Sequence, residues 1–232
     1  MSTTSNGDAT VTHNNGKAAP NLTVGRVTPS ALFSWESGCR YYFRVKKVVE
    51  TDQVAFASGG LLDPRLVDWY TTNAAELETL SFSNFMARLR DSWLSPDWAD
   101  AIRATIFSTP HDEEKSLESW ITFLELQNSY LRGTDIHLDE NTLRSVISAS
   151  ACSHIRLLTL RGEYRNIEKY SSWKSALIAQ DNERLVERAQ LYRHFERFTK
   201  ARSATTYPSK GAPKSRSGGN SGGNSGGSSS QS

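Results

Sequence analysis

The chain is poor in the features that several common protein classes depend on. Its 232 residues contain two cysteines, Cys39 and Cys152, too few for a disulfide framework. Both sit among helix-patterned apolar residues, which favours buried free thiols in a reducing compartment, with a single Cys39–Cys152 disulfide as the alternative. No run of about 18 apolar residues occurs, so no membrane span is expected. The N-terminus lacks the basic-then-apolar layout of a secretory signal. A cytoplasmic or nuclear protein is the default expectation.

Chemistry is equally sparse. The five histidines, His13, His111, His137, His154 and His194, form no H-x-x-x-H pair and no Cys/His set with metal-site spacing. Cys152 and His154 are two apart, which on a helix turns them away from each other. No G-x-S-x-G elbow and no G-x-x-x-x-G-K-[ST] phosphate loop is present. Gly59-Gly60 has no strand before it and reads as a helix terminator. Asp112, Glu113 and Glu114 are neighbours in one loop. An acid–base pair needs two carboxylates from different elements in unlike environments, so these three read as a solvated N-terminal cap of the helix that follows. The expectation is a binding or assembly module, with no catalytic, metal or cofactor site, and not an enzyme.

Charge is unevenly spread. Of 27 Lys and Arg, five lie after Phe198: Lys200, Arg202, Lys210, Lys214 and Arg216. No acidic residue accompanies them. The preceding 198 residues keep 22 basic against 25 acidic side chains, a balance of −3. The basic excess is therefore all in the tail, which suits either a polyanion partner or a solubilising linker. Residues 199–232 end in GGNSGGNSGGSSSQS, a Gly/Ser coil, and are expected to be disordered. Residues 1–26 are mostly Ser, Thr, Asn and Gly with almost no large apolar side chain, and are also expected to be disordered.

Between the two ends, apolar residues recur at helical spacing. Thr28-Pro29-Ser30 opens a helix that carries Leu32, Trp35, Cys39, Tyr42 and Phe43. Thr51 to Ala57 is a short helix ended by Gly59-Gly60. Asp63-Pro64 opens another, with Leu66, Val67 and Tyr70 on one side. From Ser81 to Leu131 run three amphipathic patterns. The first holds Phe82, Phe85, Met86, Leu89 and Trp93. Ser95-Pro96-Asp97 stops and restarts the helix. The second holds Trp98, Ile102, Thr105 and Ile106. Thr109-Pro110, then HDEEK, reads as an interdomain linker, and the third holds Leu117, Trp120, Ile121, Leu124 and Leu131. Helices from Leu138 and from Ser153 to Leu160, and a long one over about Ser171 to Phe198, complete the pattern. No strand is expected, and the class is all-α. The six tryptophans lie on or near these apolar stripes, which favours core packing over base-stacking platforms.

Three segments, VAFASGGLLDPRLVDWY, FSNFMARLRDSWLSPDWADAIRATIF and SLESWITFLELQNSYL, resemble in order and spacing the Gag capsid region of gypsy-type LTR retrotransposons. The similarity covers Ala31 to Phe198 and is strongest in the middle. The third segment resembles the major homology region of Gag capsids, with Leu117, Trp120 and Leu124 on the family's apolar positions. Phe123 stands where the family usually has an arginine, and Lys115 where it usually has an acidic residue.

The resemblance implies two small helical lobes, over 27–110 and 111–198. It implies a protein that self-assembles into virus-like particles and packages the element's RNA, with itself and RNA as partners and neither a membrane nor a small-molecule substrate. RNA contact falls to the five tail cations, which would make it weak, sequence-blind and salt-dependent. Two other functions fit the same residues: a domesticated Gag-derived adaptor that binds a cellular protein or peptide, and an RNA chaperone working through the tail.

Overall fold

The computed structural model describes residues 7–14 and 18–205. Ten helices carry the described chain: α1 (Pro29–Lys46), α2 (Gln53–Ser58), α3 (Pro64–Leu77), α4 (Phe82–Trp93), α5 (Trp98–Ser108), α6 (Leu117–Tyr130), α7 (Glu140–Ser150), α8 (Ser153–Leu160), α9 (Gly162–Arg165) and α10 (Tyr170–Thr205). The fold is all-α. Its local signals act where the sequence puts them. Thr28, Asp63, Ser81, Ser116 and Asp139 each accept a backbone N–H from the first turn of the helix they precede, which satisfies donors that a helix start leaves open. Pro29 and Pro64 occupy first-turn positions where no N–H is needed.

The expectation of disorder over 1–26 is overturned for the residues described. Val11–Thr12 (β1) pairs antiparallel with Asn21–Leu22 (β2), Val11 opposite Leu22. Leu22 is fully buried, and Ala9, Ala19 and Val27 are buried beside it. The Trp35 indole N–H donates to the Pro20 carbonyl at 2.8 Å. The Leu22 N–H donates to the Gly60 carbonyl at 2.7 Å, and the Leu62 N–H returns to the Leu22 carbonyl at 3.0 Å. A few small residues are thus tied down by backbone pairing and one buried tryptophan rather than by an apolar stripe of their own.

The chain forms two compact units, Met1–Leu185 and Val186–Ser232. Within the first, buried side chains gather in two clusters. One is built from the N-terminal hairpin and α1–α4 around Trp35, Phe43, Phe82, Phe85 and Leu89. The other is built from α5–α10 around Ile106, Leu117, Leu124, Ile147, Ile155 and Trp173. They part at Ser95–Pro96, and not at the expected boundary of Thr109–Pro110. The reason is α5: Trp98, Ile102 and Ile106 join the second cluster, and α5 packs mainly on α6. Phe33 of α1 meets Tyr130 of α6 edge-on at 5.5 Å between ring centroids, a contact between two helices made by residues that belong to neither cluster.

In the second unit, the described part is the helical stretch 186–205. It adds no residue to either cluster, although 186–198 was expected to belong to the second lobe. Val186, Leu191, Tyr192, Phe195 and Phe198 are exposed on it. The helix continues through Thr205, seven residues beyond the expected end at Phe198.

Candidate functional site

The segment resembling the major homology region is α6 and the turn before it. Leu117 and Leu124 are fully buried, and Trp120 is buried. The three share one helical face by their spacing of three and four. Ile121 and Leu131 extend that face into the second cluster. The Trp120 indole N–H donates to the Thr109 carbonyl at 3.2 Å, and its ring lies 5.2 Å from that of His111. His111 is itself buried. Its Nε2 lies 3.0 Å from the Lys115 carbonyl and its backbone N–H donates to the Ser150 carbonyl at 2.9 Å. The stretch expected to act as a linker is therefore packed against α6 and α7.

The polar groups that hold α6 come from places the sequence pattern does not mark. Asp181 of α10 is almost fully buried, and its carboxylate accepts the Leu117 backbone N–H at 2.7 Å. This is a remote N-terminal cap: Ser116 satisfies the Ser119 N–H while Asp181 satisfies the one at Leu117. Arg184 pairs with Asp181 at 2.7 Å and donates to the Glu113 carbonyl at 3.1 Å. Further along α6, Glu125 receives the Lys174 ammonium at 2.8 Å and the Tyr170 hydroxyl at 2.9 Å. Burial and the Glu125 carboxylate both push the Tyr170 phenol up from its ordinary value. Buried Asn128 closes the end of α6. Its amide donates to the Leu138 carbonyl at 2.8 Å and accepts the Leu138 N–H at 2.9 Å.

Phe123 and Lys115, the two departures from the family's pattern, line one shallow pocket of about 210 Å³ together with Thr109, Pro110, Asp112, Ser119 and Trp120. Lys115 is 3.7 Å from Asp112. No two carboxylates converge there from different elements, and Asp112, Glu113 and Glu114 lie exposed on the turn before α6. Among the described residues, no group of three or more His, Cys, Asp or Glu side chains is placed to hold a metal ion. Cys39 and Cys152 are both free and buried, in the first and the second cluster respectively. Burial pushes the Cys39 thiol well up, with nearby Glu36 adding to the effect.

Of the five tail cations, Lys200 and Arg202 are exposed on α10. Lys210, Lys214 and Arg216 lie outside the described residues. A second basic group lies elsewhere, toward the end of α1, where Arg40, Arg44 and Lys46, and Lys47 just after the helix, are all exposed. Arg40 is committed to Glu36 at 2.8 Å, and Arg90 approaches the other oxygen of the same carboxylate. Arg44 lies over the Tyr41 ring at 5.7 Å.

Of the six tryptophans, Trp35, Trp120 and Trp173 are buried, and Trp69, Trp93 and Trp98 are half-buried against the clusters, in keeping with packing. Among the described residues, no helix is long and apolar enough to cross a membrane. No protein-family model matches the chain, and neither a curated protein nor a solved structure matches it.

Proposed function

We propose that this chain is a Gag-like capsid protein that self-assembles into particles and packages retrotransposon RNA. The observation that carries the reading is the segment Leu117–Leu124. Its three frame residues are buried together on one face of α6, and the start of that helix is tied to α10 through Asp181. An all-α scaffold with two apolar clusters suits an assembly role. So do the exposed apolar side chains on helix surfaces, among them Leu157 and Leu160 of α8 and Phe195 and Phe198 of α10. The reading includes no catalysis and no cofactor.

Electron microscopy and sedimentation of the purified protein at low salt, with and without single-stranded RNA, test it. The expected result is RNA-promoted formation of closed particles. A monomer under every condition contradicts it and leaves the adaptor as the better reading.

A further inference from the structure

The helical stretch 186–205 carries two stripes of large side chains. Leu191, Phe195 and Phe198 follow the spacing i, i+4, i+7 and keep 66%, 73% and 74% of their surface exposed. Arg193, Arg197 and Lys200 repeat the same spacing two positions later, and all three are exposed. At about 100° per residue, two positions are a rotation of about 200°. The cationic stripe therefore lies on the face opposite the apolar one. Tyr192 widens the apolar face and is exposed as well, with the Arg188 guanidinium over its ring at 5.6 Å. Over 186–205 there are five cations against two carboxylates, Glu187 and Glu196, a balance of +3 in a chain whose first 198 residues balance at −3.

The two opposed stripes discriminate between occupants. A flat anionic bilayer reaches one face of a helix lying on it; with Leu191, Phe195 and Phe198 inserted, the cationic stripe points into water. A second copy of this helix, itself at +3, sets like charges together. A polynucleotide takes its phosphates to the cations but leaves the aliphatic anchor Leu191 unused, since stacking needs a π-face. What fits both faces is a groove that surrounds the helix. Its floor is apolar, to take anchors at i, i+4 and i+7, and its rim carries carboxylates.

We propose that residues 186–205 are the docking helix for an acidic helix-binding protein of the calcium-sensor kind, in which calcium opens a methionine-lined groove. Leu191, Phe195 and Phe198 fill the groove, whose flexible methionines adapt to one leucine and two larger rings. Arg193, Arg197 and Lys200 meet the carboxylates that close over the opposite face. Contacts between copies then fall to other surfaces, such as Leu157 and Leu160 of α8. The helix takes this partner whether or not the chain forms particles.

The test is calorimetric titration of the full chain with calmodulin as the probe, in calcium and in chelator. The expected result is a one-to-one complex in calcium and none in chelator. F195A/F198A is expected to weaken the complex about a hundredfold, on the order of tenfold for each buried anchor. R193Q/R197Q/K200Q is expected to slow association about tenfold and flatten its salt dependence, with dissociation little changed. All substituted positions are exposed, and circular dichroism verifies folding. If the double variant does not fold, L191A takes its place, with a loss of about tenfold expected.

No complex in calcium, the same affinity in chelator, or an affinity unchanged in the apolar variants overturns the proposal. So does binding to phosphatidylserine vesicles, or self-association, that F195A/F198A abolishes while the calmodulin titration stays flat. Particle formation is scored separately by electron microscopy. A calcium-dependent complex without particles sinks the capsid reading and keeps the docking helix, whereas particles without the complex do the reverse.

Discussion

Gly60 shows how one residue fixes the N-terminal segment. A Cβ built there would lie 2.2 Å from the Pro20 carbonyl oxygen, a separation that requires the backbone to move. The glycine is needed for this close approach rather than only to end α2. Gly60→Ala is expected to cost ~2–3 kcal/mol in urea unfolding, with loss of amide-exchange protection at Leu22; an unchanged midpoint would contradict the contact. Asp63 makes a second residue-scale prediction. Its almost fully buried carboxylate is bonded to Arg65 at 2.7 Å and to the N–H groups of Arg65 and Gly25. The Arg65 guanidinium, with those backbone donors, holds its pKa down at about 2 against an ordinary 3.8. A depressed carboxylate pKa contributes stability that is fully present above the unfolded value and is lost as pH falls through the folded one. The contribution should therefore disappear between about pH 4 and pH 2. Asp63→Asn should cost ~1–2 kcal/mol at pH 7 and should flatten the acid limb of a stability–pH curve. An identical acid limb in the variant would refute the assignment.

At the scale of elements, the apolar frame and the polar clamp of α6 can be separated by mutation. Trp120→Ala removes a large buried side chain and should cost ~3–5 kcal/mol. Asp181→Ala leaves the Leu117 N–H without its acceptor and the Arg184 guanidinium with only the Glu113 carbonyl, and should cost ~1–3 kcal/mol. The double variant Asp181→Ala/Arg184→Ala should be less than additive, because the two act on the same turn; additivity would place them in separate roles. These elements also show what was legible in the sequence. Helices α1 to α8 and α10 follow from periodicity, caps and prolines. The burial of Leu117, Trp120 and Leu124 follows from their spacing. Asp181 did not, because a single acid on a long polar helix looks the same whether it faces water or a helix start 64 residues earlier. The N-terminal hairpin was missed because two-residue strands carry no period, and their pairing depends on Pro20 and Gly60 meeting across the chain. The placement of α5 was missed because an amphipathic stripe says that a face is buried but not against which neighbour. The cations of Arg44, Lys46 and Lys47 were readable as residues, but the stacking of Arg44 on Tyr41 was not.

At the scale of the molecule, an all-α scaffold with two apolar clusters carries basic groups at two places in the chain: the end of α1 and the residues after Phe198. On the proposed reading, both suit repeated contact with copies of the chain and with a long polyanion. Assembly should therefore depend on RNA at low salt, where phosphate contacts are strongest, and should weaken as salt rises. The most direct test is the solution mass by sedimentation velocity at low salt, with and without single-stranded RNA. The account predicts a shift from small species to large, closed particles when RNA is added, reversed by raising the salt. A monomer of 25.8 kDa that persists unchanged in both conditions would contradict it.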